Sequence, residues 1–491
     1  MAVQSQNRFK EQKYFKRGIG DSYNLLPFRF IRLKSDKYVI TNDVGEYVVL
    51  DRSVLKSLIE KQLSTESEYY NTLKSKHFLI DSDSKVPLEL LALKYRTKLS
   101  KVSNFTSLHI FVVSLRCEHS CPYCQVSRQS DNRISYDMTE DTADRAIDFT
   151  FSSPSPQIKI EFQGGEPLLN FDMIKHIVLK AEQRNKIENR DLQFVIATNL
   201  ALINDEILAF CLDHGIYIST SLDGPRDLHN SNRPRPGKNS YELTIEGIKQ
   251  VRSVLGPDKV SALMTTTNKS LNCVKEIIDE YLKQNFHSIF LRPLSPYGFA
   301  IKTKAFYLYE TNEWLDFYKT GLDYIIEINK NGHYFIEWYT AMILKKMLSP
   351  LPNSYVDLQS PSGIGISCIV FNYDGDVYAS DEARMLKEMG DDTFRIGSLY
   401  SDTYEEVMLS DSLLNPIEKS ITESAPMCND CGFNPYCGSD PVYHYATQRD
   451  YLGNKAISGF CKKNMFIFKY LIELMEEDKT VKDIFRKWIR V

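Results

Sequence analysis

The sequence predicts an α/β protein whose central domain, residues 100–300, is an open or partial barrel of six βα units. Runs rich in β-branched and aromatic residues alternate with helical patterns such as 204–214 and 241–255, and six units in a row imply a parallel sheet. The pattern Gly-x-Gly-x-x-Gly is missing after the first predicted strand, which argues against a dinucleotide-binding sheet. The predicted strands are 108–115, 158–163, 192–199, 216–222, 260–267 and 287–292.

Polar and ligand-like residues follow each of these strands. In βα barrels the loops at the carboxyl ends of the strands converge on one active site, so these residues are expected to lie together. A polar residue after one strand could be explained by packing, but polar residues after all six strands are harder to explain in that way. The residues are Cys117, the run Gly164-Gly165-Glu166-Pro167, Thr198 with Asn199, Ser221 with Asp223, Thr265 to Thr267, and Arg292.

The rest of the chain divides into four further regions. Residues 1–95 predict a small winged-helix-like domain, with strands 38–41 and 46–50 around a turn and Asp51 as the N-cap of a helix over 52–63. Residues 301–355 predict a helical linker. The segment 356–470 is rich in turns and cysteine, and 471–491 is typical of a charged amphipathic C-terminal helix.

Composition and charge exclude several partners. The 491 residues carry 60 basic and 64 acidic side chains, a net charge of -4 that attracts neither a nucleic-acid backbone nor an anionic membrane. The N-terminus lacks the apolar region of a signal peptide, and no apolar run is long enough to span a membrane. A cytoplasmic location is therefore expected, where the ten cysteines favour metal binding over disulfides.

The first cysteine group, Cys117-Glu-His-Ser-Cys121-Pro-Tyr-Cys124, places three thiols on one short loop. A [4Fe–4S] cluster takes four cysteines as a rule, so three leave one iron with an open coordination position. The alternative is a zinc site, but structural zinc needs four ligands, and within the loop only His119 could complete the set, at poor spacing.

Cys-x3-Cys-x2-Cys after a first barrel strand, with Gly-Gly-Glu-Pro after the second, resembles the radical S-adenosylmethionine (SAM) enzymes. The resemblance implies that the amino and carboxylate groups of SAM chelate the open iron. It also implies that reductive cleavage of SAM gives a 5′-deoxyadenosyl radical, which abstracts hydrogen from a substrate.

The same resemblance assigns cofactor contacts. It places Tyr123 near the adenine, and Gly164, Gly165 and Glu166 at the amino group of the methionine moiety, where a carboxylate suits a cation. The candidates for ribose and carboxylate contacts are Thr198, Asn199, Ser221 and Asp223, each of which could equally be a turn or cap residue. Arg292 is a further candidate and could equally form a structural ion pair. No catalytic acid or base is assigned.

The C-terminal group Cys428-x2-Cys431-x5-Cys437, followed by Cys461, resembles the end of a SPASM/twitch-like iron–sulfur extension, with a zinc ribbon as the alternative. The family pattern calls for two further cysteines, at positions that Ser380 and Pro441 occupy here. Cys368 is then the one thiol left for a second auxiliary site, so a single auxiliary [4Fe–4S] cluster is expected. Cys211 and Cys273 are predicted to be small buried residues of helices.

Longer runs, among them 108–117, 124–129, 290–299 and 380–385, resemble the paired radical SAM maturase of the His-Xaa-Ser peptide system. That resemblance implies a ribosomally made precursor peptide, a second radical SAM maturase as partner and a flavodoxin- or ferredoxin-type electron donor. The domain at 1–95 would then recognise a leader peptide by strand addition, unless it is a plain packing domain. A maturase of a folded enzyme, of the sulfatase-activating type, and a non-catalytic scaffold are the alternatives.

Overall fold

The computed structural model describes residues 23–81, 85–100, 102–349 and 355–490. The chain forms two compact units. The first comprises Met1–Lys98 together with Asp430–Pro435, and the second comprises Leu99–Asn429 and Tyr436–Val491.

The first unit contains a three-stranded antiparallel sheet in the order β2-β3-β4 and a short pair, β1 with β5. Its core includes Ile40 and Leu50 from the sheet and Leu58 and Leu73 from the helices that follow. The elements are β1 Asn24–Leu25, β2 Arg29–Arg32, β3 Lys37–Thr41, β4 Tyr47–Asp51, α1 Arg52–Ile59, α2 Glu68–Ser75, β5 Leu79–Ile80 and α3 Val86–Leu99.

The two strands predicted in this unit are observed as β3 and β4, and Asp51 is the N-cap residue of α1. Its carboxylate makes no capping hydrogen bond, and α1 ends at Ile59 rather than at residue 63. The segment Asp430–Pro435 packs on this sheet, since the Thr41 hydroxyl donates to the Gly432 carbonyl at 2.7 Å. The winged-helix likeness itself stays an expectation.

The second unit is an α/β fold around an eight-stranded mixed sheet in the order β10-β9-β8-β7-β6-β13-β14-β15. The run from β10 to β13 is parallel, and the last two pairings are antiparallel. The strands of the unit are β6 Leu108–Ser114, β7 Gln157–Gly164, β8 Asp191–Thr198, β9 Tyr217–Ser221, β10 Val260–Leu263, β11 Ser288–Ile289, β12 Ile336–Glu337, β13 Cys368–Phe371, β14 Asp376–Tyr378 and β15 Arg395–Ser398.

Helices connect and cover these strands. Since β6 is buried at every position after Leu108, it forms the centre of the core, and α5 and α6 pack beside each other in the layer over the sheet. The helices of the unit are α4 Arg133–Tyr136, α5 Glu140–Ser152, α6 Phe171–Glu188, α7 Asp205–Asp213, α8 Arg226–Asn232, α9 Ser240–Leu255, α10 Val274–Lys283, α11 Phe299–Lys302, α12 Thr311–Lys330, α13 Trp338–Leu348, α14 Asp381–Lys387, α15 Tyr404–Met408, α16 Asp411–Lys419, α17 Pro441–Gln448, α18 Gly459–Glu477 and α19 Lys479–Trp488.

The prediction of a sixth strand in the main sheet is wrong. Of residues 287–292, only β11 is extended, and it pairs with β12 in a separate two-stranded sheet. The Glu337 carboxylate accepts the Leu291 backbone N–H at 3.1 Å, so a side chain takes the donor that a longer strand would use. In the main sheet the free edge of β6 is taken instead by β13, from the C-terminal part of the chain.

Two further boundaries differ from the sequence expectation. The fifth strand, β10, ends at Leu263 rather than at residue 267. The single C-terminal helix predicted over 471–491 is two helices, α18 and α19, which meet at Asp478. There the Asp478 carboxylate accepts the Thr480 N–H at 2.8 Å and caps α19. None of the helices in the described ranges is long and apolar enough to cross a membrane.

Candidate active site around three cysteines

The loop that carries Cys117, Cys121 and Cys124 begins where β6 ends. Arg116, buried at its start, is fixed by a bidentate contact to Asp137, with both N···O distances 2.7 Å. At the far end the Cys124 carbonyl accepts the Phe299 N–H at 2.8 Å. The loop is therefore anchored on both sides by protein contacts.

Gly164 and Gly165 lie against the backbone of this loop. The Gly165 N–H donates to the Ser114 carbonyl at 2.8 Å, and the Glu166 N–H donates to the Arg116 carbonyl at 2.7 Å. A Cβ at Gly164 would come within 1.9 Å of the Ser114 oxygen, and one at Gly165 within 2.3 Å of the Arg116 oxygen. Glycine is needed at both positions because two strand ends meet there without room for a side chain.

Glu166 is buried at the carboxyl ends of β7 and β8. Its carboxylate accepts the Thr198 hydroxyl at 2.6 Å, the Asn199 N–H at 2.9 Å and the Leu168 N–H at 3.1 Å. Burial, followed by repulsion from Glu118, raises the pKa of Glu166 to about 8 against these hydrogen bonds. The structure thus brings together three of the predicted contacts, and a nearby cation would stabilise the ionised carboxylate.

Glu118 and His119, inside the cysteine loop, belong to the same network, although the sequence analysis assigned neither a cofactor contact. Asn199 donates to one Glu118 oxygen, Oε1, at 2.8 Å, and His119 Nδ1 lies 3.0 Å from that oxygen. The other oxygen, Oε2, is buried and has no hydrogen-bond partner among the described residues. An unpaired buried carboxylate oxygen is costly, so it marks a place for a donor that a ligand supplies.

Tyr123 and Asp223, predicted cofactor contacts, are bonded to each other. The Tyr123 hydroxyl donates to Asp223 at 2.5 Å, and Arg233 holds the same carboxylate by two contacts of 3.1 and 3.2 Å. Asp223 is fully buried, and burial raises the pKa of the Tyr123 phenol. The carboxylate is therefore saturated by protein groups. Arg233 was not predicted as a site residue. It lies ten residues after Asp223, and no motif in the sequence links the two.

The remaining predicted contacts are more dispersed. Ser221 is the last residue of β9, paired with Leu263 in the register of the sheet. Arg292 is half-buried, and its backbone carbonyl accepts the Thr266 N–H at 2.9 Å. Its guanidinium lies close enough to Asp357 and Glu382 to oppose the rise in pKa that burial causes in both. Arg292 thus lies among carboxylates from the C-terminal part of the second unit.

The side chains of this loop favour an iron–sulfur cluster over zinc. Ligand atoms of Cys117, Glu118 and His119 lie within 4.8 Å of one another. Both ring nitrogens of His119 are engaged, however, since Nε2 lies 2.8 Å from the Ser240 hydroxyl, so the imidazole is not free to complete a zinc site. Three thiols, an unpaired buried carboxylate oxygen and a wall of glycine backbone fit a cubane with SAM.

Three of the C-terminal cysteines, Cys428, Cys437 and Cys461, lie near enough to Lys455 to act on its charge, and Lys455 moderates the rise in pKa that burial causes in Cys428 and Cys461. The Cys437 sulfur accepts an N–H from Asn464 at 3.5 Å. Cys431 lies in the segment Asp430–Pro435, where its sulfur accepts the Phe433 N–H at 3.4 Å. Such N–H···S contacts are typical of iron–sulfur ligands.

The two positions that depart from the SPASM pattern start helices. Ser380 caps α14, accepting the Ala383 N–H at 3.2 Å, and Pro441 is the first residue of α17. Cys368 is buried in β13. Of the other thiols, Cys211 is buried in α7 as predicted, whereas Cys273 precedes α10 as its N-cap residue rather than lying inside a helix.

Comparison with known proteins identifies the class. Residues 111–281 match the model of the Radical SAM superfamily. An uncharacterized protein of Methanocaldococcus jannaschii is 33% identical over 188 residues, 38% of this chain, which thus spans 62% of that relative's length. The cysteine-type anaerobic sulfatase-maturating enzyme of Clostridium novyi is 24% identical over 390 residues, covering 75% of this chain and 98% of that one.

Solved structures share the fold. The structure of anSMEcpe with bound AdoMet has a TM-score of 0.63 at 17% identity, covering 77% of this chain and 100% of that one. Streptococcus suis SuiB bound to precursor peptide SuiA has a TM-score of 0.52 at 16% identity and covers 91% of this chain and 100% of that one.

Residues 111–281 therefore form a radical SAM domain, which makes the protein an enzyme whose cofactors are a [4Fe–4S] cluster and SAM.

Proposed function

We propose that this enzyme cleaves SAM reductively and modifies a residue of a polypeptide by hydrogen abstraction. The cofactor pair, when bound, supplies a 5′-deoxyadenosyl radical that removes a hydrogen atom from the substrate. The observation that carries the proposal is the three-cysteine loop at the carboxyl ends of a parallel sheet, bordered by Gly164, Gly165 and the buried carboxylate of Glu166.

The chain's own residues bind and orient the cofactor. Cys117, Cys121 and Cys124 are the cluster ligands, and Glu166, with the free oxygen of Glu118, receives the ammonium of the methionine moiety. Thr198 holds Glu166, and Asn199 links Glu166 to Glu118. Two charge-assisted hydrogen bonds at one ammonium orient it more tightly than one would.

Aromatic and polar residues bind the adenosyl moiety and the substrate. Tyr123, fixed by Asp223, presents its ring to the adenine, and Ser221 offers its hydroxyl to the ribose. Arg292, which lies among the C-terminal carboxylates, serves the substrate side of the site rather than SAM. Together these residues place the 5′ carbon beside the substrate and exclude solvent.

The favoured substrate is a ribosomally made precursor peptide, of the His-Xaa-Ser type that the sequence suggests, with a second radical SAM maturase and a flavodoxin- or ferredoxin-type donor as partners. The likeness to SuiB over 91% of this chain supports this choice, because that structure contains a precursor peptide. The first unit would bind the leader along an edge of its sheet, where Phe30 of β2 is half-exposed.

A folded enzyme as substrate is supported by a different observation, the similarity to sulfatase-maturating enzymes, in which the chain covers 98% of the Clostridium novyi relative. In that case the modified residue lies in a sulfatase. The two proposals share the radical chemistry and differ in the size and origin of the polypeptide.

A second, auxiliary [4Fe–4S] cluster would take Cys428, Cys431, Cys437 and Cys461. Four thiolates leave its irons no open position, so its task would be electron transfer or structural support rather than binding of the substrate.

Mass spectrometry after incubation with SAM and a strong reductant tests the function. Reactions contain either a synthetic peptide with His-Xaa-Ser repeats or a sulfatase fragment. We expect a mass change in the peptide and stoichiometric 5′-deoxyadenosine. A change in the sulfatase fragment alone would establish the second proposal, and deoxyadenosine without any modified polypeptide would contradict both. Phe30→Asp should raise the KM for full-length precursor but not for leaderless peptide, with Tyr307→Phe as a surface control.

A further inference from the structure

A cavity of about 110 Å³ lies in the second unit beside the cysteine loop. Leu294 and Tyr309 line it and belong to the same apolar cluster as Tyr123 and Cys121. The Tyr309 hydroxyl also donates to the Thr266 carbonyl at 3.1 Å, just beyond the end of β10. This space, large enough for several waters or one side chain, therefore adjoins the residues that the proposed function assigns to SAM.

More carboxyl groups than cations line the cavity, and because burial raises the pKa of all three carboxyls, a bound cation would stabilise their ionised form. Asp357, Glu382 and Asp440 line it together with one cation, Lys463, and the guanidinium of Arg292, which is not itself part of the lining, lies near Asp357 and Glu382. Within the described part of the chain no salt bridge joins Lys463 to these carboxylates, and no side chain donates a hydrogen bond to Asp357 or Glu382. The Lys463 ammonium lies instead 5.3 Å from the centre of the Phe460 ring. Lys463 and Arg292 thus offset part of the negative charge, and the three carboxylates still outnumber these two cations.

Two buried polar groups at the cavity also have no partner among the described residues. They are the Tyr297 hydroxyl and the Trp314 indole N–H, on side chains that are 1% and 2% exposed. A buried donor without an acceptor costs free energy, and most such groups in folded proteins are paired. Their common position on one cavity indicates that a ligand supplies the missing partners.

We propose that this cavity binds a cationic side chain of the polypeptide substrate, an inference that rests on the function proposed above. The carboxylates of Asp357 and Glu382 take the cation, and the aromatic walls favour it further through cation–π contacts. The Tyr297 hydroxyl accepts from the same cation, and the Trp314 N–H donates to a main-chain carbonyl of the substrate. A bound anion would instead face three carboxylates.

Two of the cavity carboxylates lie near the positions that depart from the SPASM pattern. Glu382 lies two residues after Ser380, and Asp440 lies directly before Pro441. At the two places where the pattern calls for cluster thiolates, this chain has a helix start with a carboxylate beside it.

Saturation-transfer NMR on the full-length reconstituted protein tests the site directly. The probes are Nα-acetyl-lysine amide, Nα-acetyl-norleucine amide, which has a similar stem but no charge, and Nα-acetyl-glutamate amide. We expect the lysine probe to bind about tenfold or more tightly than the other two, a ratio typical of one charge-assisted contact. Equal binding of lysine and norleucine probes, preference for glutamate, or no binding of the lysine probe would overturn the proposal.

Matched variants assign the effect to the cavity. Glu382→Gln should weaken the lysine probe about tenfold, whereas Glu405→Gln, an exposed carboxylate on α15, should not change it. Tyr297→Phe removes a hydroxyl with no described partner, so we expect weaker probe binding with an unchanged melting temperature. Unchanged probe affinity in both cavity variants would refute the proposal even if the enzyme modifies peptides.

Failure of the proposed function gives a different result. Binding of the lysine probe requires neither SAM cleavage nor turnover. Cation binding at the cavity without modification of any polypeptide would therefore refute the function and leave the site, while peptide modification without cation binding would do the reverse.

Discussion

The two cysteine groups are held in different ways. Cys117, Cys121 and Cys124 lie on a loop that leaves the buried parallel strand β6. Hydrogen bonds join its start to Gly165 and Glu166, just beyond the end of β7, and its far end to Phe299. Cys428 lies in a turn, Cys437 lies in a segment without regular secondary structure, and Cys461 lies in the first turn of α18.

Different contacts therefore hold the two groups of cysteines in position. Hydrogen bonds to residues at the end of the next strand fix the first loop, so protein contacts supply much of its order. The C-terminal cysteines lie outside the sheet, so we expect metal ligation itself to supply more of their order. Removal of iron should therefore disturb the C-terminal cysteines more than the loop.

The largest expected effect comes from the first group. Replacing Cys117, Cys121 and Cys124 together by Ala should leave a folded protein that makes no 5′-deoxyadenosine under strong reduction, because no iron with an open position remains. Chromatography of the reaction measures the nucleoside, and Cys273→Ala is the matched control. Deoxyadenosine production by the triple variant would disprove the assignment.

Iron content compares the two groups directly. We expect about eight irons per chain, from four in each of two cubanes, and loss of about half in Cys431→Ala. Cys368→Ala should keep all the iron, since this thiol is buried within β13. Iron and zinc are measured by elemental analysis after reconstitution. About twelve irons, or zinc in place of half the iron, would contradict a single auxiliary cluster.

A smaller effect is expected where SAM is bound. Glu166→Gln removes a charge-assisted contact of about 1.5–3 kcal/mol, so SAM affinity should fall by about 10- to 100-fold while the iron content stays constant. Equilibrium binding of SAM to the reconstituted protein measures it. Glu161→Gln, on the same strand, is the control. Unchanged affinity in Glu166→Gln would assign Glu166 a structural role.

The smallest effect concerns the residue beside the last cysteine. Tyr123→Phe removes the hydroxyl that donates to Asp223, but Arg233 still holds that carboxylate. We expect a loss of about 1 kcal/mol in the free energy of unfolding, measured by denaturant titration, with SAM affinity kept because the ring remains. A large loss of SAM affinity would show that the hydroxyl itself contacts the cofactor.

Much of the fold could be predicted because it depends on residue patterns within short segments of the chain. The first four barrel strands lie within two residues of their predicted bounds, since buried β-branched runs end at polar turns. The sixth strand could not be predicted, because the Glu337 side chain, 46 residues away, takes the Leu291 donor. A prediction based on neighbouring residues does not include a side chain that takes a backbone donor from so far along the sequence.

The site divides in the same way. The spacing of Cys117, Cys121 and Cys124 was enough to predict them as one group of ligands. The Gly-Gly-Glu-Pro motif was enough to predict Gly164, Gly165 and Glu166 as site residues. The role of Glu118 depends on Asn199, 81 residues away, and the cation cavity gathers Asp357, Glu382 and Asp440 from separate segments. No spacing rule links those residues.

The sequence by itself therefore determined the parallel α/β class and the iron–sulfur loop, because strand periodicity and cysteine spacing are short-range properties of the chain. Only the tertiary structure decided which strand borders β6, that Asp223 is saturated by Tyr123 and Arg233, and that three carboxylates share one cavity. These features depend on which segments, distant in sequence, pack together and exclude water. Burial then determines how strongly the charged groups interact.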